Sequence, residues 1–443
     1  MRASFIHLAD THLGYEQYGV RERFNDFSKA FWEVTDAAIE RNVDFVIIAG
    51  DLFHKRAIDA LTLIHATEGL KKLQEQNIPV IAIEGNHDRS YYRDGTSWLQ
   101  FLCYQGYLML LAPTIRDGAP VLEPWDKESM RGAYVDLLGG KLRVYGLHWV
   151  GASIGSTLEG MARALATKQT AGEEEGIVYR VLAMHTGIDG EVPRMQGLPT
   201  RAKFQTLQPY IHYLALGHVH KPYTDGGWIY NPGSTETCGA EEIQWDDRGY
   251  YYVEIDTEQA EHITDPSQKV CVHRVERIKT TRRSFVRYDL RVDSLHDPDA
   301  LYTRLEEYCR RESVKYHALE ARPLVQVHLV GTLGFDAGSL DQPRMEQMVS
   351  HYFQPLHVRV EDHTNDQDYA ADDGELDGRD RSVWHELERY IFEELLGRDN
   401  RYLPAREQWS TVVSEIKAQA LRKDDPQAIA QFLREKRAEL LGG

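Results

Sequence analysis

No run of about 18 apolar residues occurs in this 443-residue sequence, so nothing in it reads as a membrane span. Cysteine is scarce. The four present, Cys103, Cys238, Cys271 and Cys309, are scattered without a CxxC pair or zinc spacing, which points to reduced thiols in a cytoplasmic protein. The opening MRASFIHLAD goes straight into a strand-like run and lacks the apolar segment and cleavage site of a secretory signal. Net positive charge is also missing: at −18 the chain is not a generally basic binder of polyanions. The charge is uneven, however. Residues 274–291 hold seven basic residues against two acids, a local edge able to meet phosphate. No internal repeat is visible. At roughly 100–200 residues per domain, the length implies two to four domains.

What is present begins with alternation. ASFIHL, VDFVII and PVIAI are short β-rich runs, each followed by a polar turn and a helical pattern at 24–41, 58–76 and 95–105. Strand, turn and helix in repetition predict an α/β domain with parallel pairing. KLRVYGL, IVYRVLAM, YIHYLAL and GYYYVEI follow with fewer helices between them, and predict a second, more antiparallel sheet packed on the first. A helix is expected over 155–168. SFVRYDLRV alternates cleanly, with Val286, Tyr288, Leu290 and Val292 on one face, and 281–360 reads as a small α+β domain. Residues 361–381 carry nine acids and two arginines with few apolar side chains, the composition of a linker. The last 60 residues return to helix, with stripes Val383–Leu387–Ile391–Leu395, Trp409–Val412–Ile416–Ala420 and Ile429–Leu433–Leu440.

Five polar motifs sit at strand ends: Asp10-Thr11-His12, Gly50-Asp51, Gly85-Asn86-His87-Asp88, His185, and Gly217-His218-Val219-His220. In an open α/β sheet ligands gather beyond the carboxyl ends of the strands, so residues far apart in sequence can converge on one cleft. Carboxylate, imidazole and amide oxygen together suit a borderline divalent metal such as Mn, Fe or Zn. One carboxylate can bridge two such cations, and the pair can activate water and steady a pentacoordinate phosphorus. Alone, Asp-x-His is a weak signal and Gly-Asp after a strand is usually a turn, whereas Gly-Asn-His-Asp is stronger because its His-Asp has no turn role. In Gly-His-x-His, an extended segment would put both imidazoles on one side. The five in this order make a turn-only explanation improbable.

The motifs HLADTHLGYEQ, IIAGDLFHK, IEGNHDR, MHTG, LGHVHKP and NPGSTE resemble the calcineurin-like metallophosphoesterases. More closely, they are similar to the SbcD-type DNA-repair nucleases, relatives of the eukaryotic meiotic-recombination nuclease. The resemblance is good over 1–255 and covers the rest in outline. It implies a two-sheet sandwich flanked by helices at 1–256, a small DNA-capping domain at 281–360, and an ATPase-docking helical module at 382–443 after the acidic linker. It implies two divalent metal ions, usually Mn2+: Asp10, His12 and His220 hold one, Asn86, His185 and His218 the other, and Asp51 bridges them. His87 would protonate the leaving oxygen, with Asp88 orienting it, and His54 would engage the phosphate at a duplex end. Implied too are duplex 3′–5′ exonuclease and single-strand endonuclease activity, an SbcC-like coiled-coil ATPase partner, and a homodimer through the helices near 58–76 and 95–111. The dimer surface would carry Leu61, Ile64, Leu99, Phe101 and Leu102. The basic edge of Arg274, Arg277, Arg282, Arg283 and Arg287 fits either DNA or a solvated strand face. The segment 151–176 has no counterpart in the resemblance. A phosphatase or cyclic-nucleotide phosphodiesterase on the same core is the competing enzyme, although His54, the capping domain and the C-terminal helices are superfluous for a small substrate. A catalytically dead scaffold is disfavoured because all seven ligands are intact.

Overall fold

The computed structural model describes residues 1–90, 95–192, 195, 197–245, 248–258, 272–293, 295–365, 392–393, 396, 402–421 and 426–441. They fall into two compact units. One comprises Met1–Val330 with Gly338–His363, the other Gly331–Ala337 with Thr364–Gly443.

The larger unit is built on two six-stranded sheets. The first half alternates strand and helix: β1 (Arg2–Leu8), α1 (Arg21–Glu40), β2 (Phe45–Ile48), α2 (Ala60–Glu75), β3 (Val80–Ala82), α3 (Trp98–Tyr104) and β4 (Met109–Leu110). Strands β1 to β4 pair in parallel. Asp59 and Ser97 start α2 and α3 by accepting the amide hydrogens of Thr62 and Gln100. After a short hairpin (β5, Ile115–Arg116; β6, Ala119–Pro120) come β7 (Tyr134–Leu137), β8 (Leu142–Leu147), α4 (Ile154–Thr170), β9 (Tyr179–His185), α5 (Arg201–Gln205), β10 (Tyr213–Gly217), β11 (Tyr223–Asp225) and β12 (Ile229–Asn231). β13 (Gly249–Asp256) and β14 (His273–Lys279) follow. The sheet orders are β14-β13-β1-β2-β3-β4 and β11-β12-β10-β9-β8-β7.

Central strands buried on both faces read as unbroken apolar runs, because successive side chains serve different layers. Phe5 and Ile47 point into the layer between the sheets, with Val181, Ala183 and Tyr213 from the other side. Their neighbours Ile6, Leu8, Val46 and Ile48 face α1 to α3 with Phe31, Leu70 and Leu99. Leu182 and Met184 face the outer layer with Leu158, Met161 and Leu165 of α4. The result is helix, sheet, sheet, helix.

Two sequence expectations need correction here. The second sheet is not mainly antiparallel: β8, β9, β10 and β12 run parallel, and only its outer pairs are antiparallel. The segments holding α4 and α5 are its crossovers. GYYYVEI does not join that sheet; as β13 it pairs antiparallel with β1, with Val253 opposite Phe5. β14 pairs with β13, so the first sheet continues past residue 256.

A three-stranded sheet completes this unit, in the order β15 (Phe285–Arg291), β16 (Leu324–Thr332), β17 (His357–Asn365). β17 extends through residues 361–365, which the composition assigns to the linker; 366–381 lie outside the described residues. α6 (Pro298–Glu312) and α7 (Gln342–Phe353) pack on one face, where Tyr288 stacks on Tyr308 with ring centroids 3.5 Å apart. The other face carries Arg287 opposite Gln326 and Asp289 opposite His328. Arg283 fixes this sheet to α1: its guanidinium meets both carboxylate oxygens of Asp26, at 2.7 and 3.0 Å.

In the smaller unit, helices Arg406–Leu421 and Pro426–Leu441 are described. Trp409 and Val412 are buried, as the second stripe predicts, whereas Leu433 of the third is exposed. Val383, Leu387, Ile391 and Leu395 lie outside the described residues. Among the described residues, no helix is long and apolar enough to cross a membrane.

Candidate metal centre

The five motifs meet where the carboxyl ends of β1, β2, β3, β9 and β10 come together, so both sheets contribute. The turns are strained. Asp10, His12, Asp51 and His218 all have positive φ, between 47° and 85°, a conformation costing about 1–3 kcal/mol per non-glycine residue. Two glycines are obligatory: a Cβ on Gly85 would lie 2.1 Å from Asp51 Oδ1, and one on Gly50, at φ 90°, would lie 2.3 Å from His185 Nδ1. Positive φ at His218 also corrects the expectation of an extended Gly-His-x-His segment. The backbone turns there, and the two imidazoles part company.

His218 Nδ1 lies 3.0 Å from Asn86 Oδ1, and His185 Nε2 lies 3.2 Å from the same oxygen. His220 Nε2 instead faces His12 Nε2 at 3.0 Å. Asp51 belongs with both groups: one cluster of converging ligand atoms is Asp51, His185 and His218, another Asp10, His12 and Asp51. Asp51 Oδ2 stands 3.2 Å from His185 Nε2, and Asp10 Oδ1 stands 4.0 Å from it.

Several hydrogen bonds leave these donor atoms aimed inward. His185 donates Nδ1–H to the carbonyl of Ala49 (2.8 Å), and His220 donates Nδ1–H to Glu242 Oε1 (2.5 Å). Asp10 accepts from the amide of His218, and Asp51 from that of His87. Asn231, in NPGSTE, donates to the carbonyls of Val219 and Lys221, and Arg248 donates to that of His220, which clamps the turn. Glu242 and Arg248 escape sequence reasoning: a single Glu in an acidic stretch and a single Arg carry no motif.

The electrostatics suit a cation. Burial lifts Asp10 to about 6 in spite of His185 and His220. Burial works the same way on Asp51, but His185, His12 and His87 outweigh it and hold that carboxyl well below the usual range. Burial likewise opposes charge on His185, yet Asp51 and Asp10 raise it to about 9. Such a carboxylate field draws a positive ion. His12 Nε2 confronts a second imidazole nitrogen, His220 Nε2, an arrangement that a metal between the rings satisfies. The donor set therefore fits divalent cations.

Beside the ligands, His87 donates Nδ1–H to the carbonyl of His54 at 2.6 Å. Asp88 does not orient that ring, contrary to expectation. Its carboxylate accepts from the amides of Leu52, Phe53 and Gly85, pinning the β2 and β3 turns together. His54 stacks on Tyr15 with centroids 3.8 Å apart. Burial, with His87 and Lys55 nearby, lowers His54 to about 4, so near neutrality it meets an anion as a hydrogen-bond donor rather than a charge. The start of segment 151–176 lines a cavity of about 310 Å³ beside Asn86, His185 and His218, together with Trp149 and Leu198.

The arginines of the basic edge do not form one patch. Arg274 and Arg277 stand on β14 of the core. Arg283 is committed to Asp26, Arg282 donates to Thr237 Oγ1, and Arg287 pairs with Asp289. Of the expected dimer surface, Leu61 and Ile64 are exposed, but Leu99 and Leu102 are wholly buried under the first sheet.

Residues 3–222 match the calcineurin-like phosphoesterase family. Over 240 residues the chain is 35% identical to the DNA double-strand break repair protein Mre11 of Archaeoglobus fulgidus, covering 52% of this chain and 50% of that protein. It therefore spans about half that relative's length. Over 350 residues it is 27% identical to Mre11 of Thermoplasma acidophilum, covering 78% and 81%. Among solved structures, the calcineurin-like phosphoesterase YfkN from Bacillus subtilis is 14% identical with a TM-score of 0.36, covering 63% of this chain and 90% of that one, too loose a likeness to argue from.

Proposed function

We propose that this chain, whose residues 3–222 match the calcineurin-like phosphoesterase family, is a DNA nuclease working with two divalent cations, Mn2+ foremost. The observation that carries this is the sharing of Asp51 between two ligand groups. Asp10, His12 and His220 would hold one cation and Asn86, His185 and His218 the other, with Asp51 available to both. Bound there, the cations supply positive charge against the phosphate oxygens and make water a nucleophile near neutral pH. The chain's own residues do the rest. Ala49 and Glu242 fix the tautomers of His185 and His220 so that neutral nitrogens face inward. His87, with Nδ1–H committed to the His54 carbonyl, delivers a proton from Nε2 to the departing oxygen. His54, stacked on Tyr15, offers a hydrogen bond to a phosphate at the strand end.

We take DNA as the substrate because the relatives are named as DNA double-strand break repair proteins, and we assign the sheet of β15 to β17 to a DNA cap, which a small substrate does not need. Duplex 3′–5′ exonuclease and single-strand endonuclease activities are both assigned to this centre. The test offers a labelled, end-blocked duplex and p-nitrophenyl phosphate to the protein with Mn2+ or Mg2+. Efficient duplex cleavage with poor turnover of the small ester supports the reading. The reverse preference favours a phosphatase.

The module 382–443, with its helices Arg406–Leu421 and Pro426–Leu441, is assigned to docking an SbcC-like coiled-coil ATPase. Deleting 382–443 should abolish co-purification with such an ATPase and leave cleavage of short DNA intact; retained binding contradicts the assignment. Leu61 and Ile64 of α2 are assigned to a homodimer contact. A sedimentation mass of one chain at micromolar concentration removes it.

A further inference from the structure

On the face of the β15–β16–β17 sheet turned away from α6 and α7, β16 presents a polar pair between the apolar Leu324 and Val330. Period-2 alternation puts Val325, Val327 and Leu329 on the helix side and Gln326 and His328 on the other. His328 is only 8% exposed, and its Nε2 is buried without a hydrogen-bond partner. Leaving such a nitrogen unmatched costs about 1–3 kcal/mol, so its surroundings deserve an explanation. On neighbouring β17, Glu361 and His363 are two residues apart and share that face. Glu361 Oε2 lies 3.6 Å from His328 Nε2, beyond hydrogen-bond reach, and 3.0 Å from His363 Nε2. One ligand atom from each of the three side chains falls within 4.8 Å of the others. Ligand atoms about 2.0–2.2 Å from a tetrahedral ion are spaced roughly 3.3–3.6 Å apart, so the observed spacing needs only side-chain adjustment.

We propose that His328, Glu361 and His363 form a second metal site, separate from the catalytic centre, that takes one Zn2+-class divalent ion. Two imidazoles and a carboxylate are a donor set for a borderline transition metal, and too nitrogen-rich for Ca2+ or Mg2+. Three protein ligands leave a fourth position, which faces a cavity of about 640 Å³ lined also by Tyr18, Cys238, Glu241 and Arg287. One further contact orients a ligand: Arg359 holds Glu361 Oε1 at 2.9 Å, leaving Oε2 for the ion. The ion joins the central strand β16 to the edge strand β17 on the side that looks toward residues 238–241.

The test counts metal on the full chain, stripped with chelator and dialysed against micromolar Zn2+. His363→Ala and Glu361→Gln alter partly exposed positions on an edge strand, and circular dichroism checks that each variant is folded. Wild type should retain one more equivalent of Zn2+ than either variant. Asp51→Asn, which alters the catalytic centre, should not remove the equivalent that depends on His363. That comparison separates failure of this site from failure of the catalytic reading. Equal Zn2+ counts in wild type and folded His363→Ala overturn the proposal.

Discussion

At the scale of single residues, the chemistry rests on which imidazole nitrogen faces the substrate. His87 lies outside the two ligand groups, and its Nδ1–H is held by the His54 carbonyl. His87→Ala should therefore keep metal while losing roughly 10²–10⁴-fold in cleavage rate, the range of general acid–base catalysis. Calorimetry for Mn2+ and single-turnover cleavage check the two halves separately. Lost metal affinity makes His87 a ligand, and cleavage within a factor of about three of wild type removes it from proton transfer. Glu242 acts through His220. Glu242→Gln should weaken metal binding at the His12–His220 group by about 10–100-fold, as removal of such outer partners does, read by competition with a chelating dye; unchanged affinity makes Glu242 a bystander. The convergence of the five motifs was legible because each sits near the end of an apolar strand. The partners that orient them were not: the His54 and Ala49 carbonyls have no side-chain identity, and Asp88, plausible as an orienter of His87 from adjacency alone, spends its carboxylate on three amides.

At the scale of elements, periodicity carried the helices well. The expected spans 24–41, 58–76 and 155–168 correspond to α1, α2 and α4, with ends displaced by a few residues. Pairing was harder to read. β13 looks like its neighbours in sequence, yet it returns to β1 because sheet partners are chosen by register and layer, which local composition does not encode. The join between the β15–β17 sheet and the core was likewise hidden. Its arginines read as a basic edge, but Arg283 is spent on Asp26, which also receives Arg23 at 2.8 Å. Asp26→Ala leaves both buried guanidinium groups short of a partner and should cost about 3 kcal/mol. Urea unfolding measures this; a loss below about 0.5 kcal/mol, the level of an ordinary surface change, shows that the pair does not hold the join.

At the scale of the whole molecule, the two-sheet sandwich sets both stability and site. Outside the metal centre, His7 is fully buried between the sheets, with Nδ1 accepting from Tyr213 and Nε2–H donating to the Leu216 carbonyl. Burial lowers it from 6.5 to about 3. The unfolded chain thus binds the extra proton between these values. The stability contribution is complete above about 6.5 and is lost as pH falls toward 3. His7→Gln should flatten the decline of melting temperature with acidification over that window, whatever its effect on stability near neutral pH. An unchanged slope means that other groups dominate acid unfolding. The sandwich also brings motifs from both sheets to one edge, and on this the functional account depends. Its most direct test is the anomalous difference density of crystals grown with Mn2+. The account predicts two peaks, one among Asp10, His12 and His220 and one among Asn86, His185 and His218, with Asp51 touching both. A single peak, or a pair that Asp51 does not share, contradicts it.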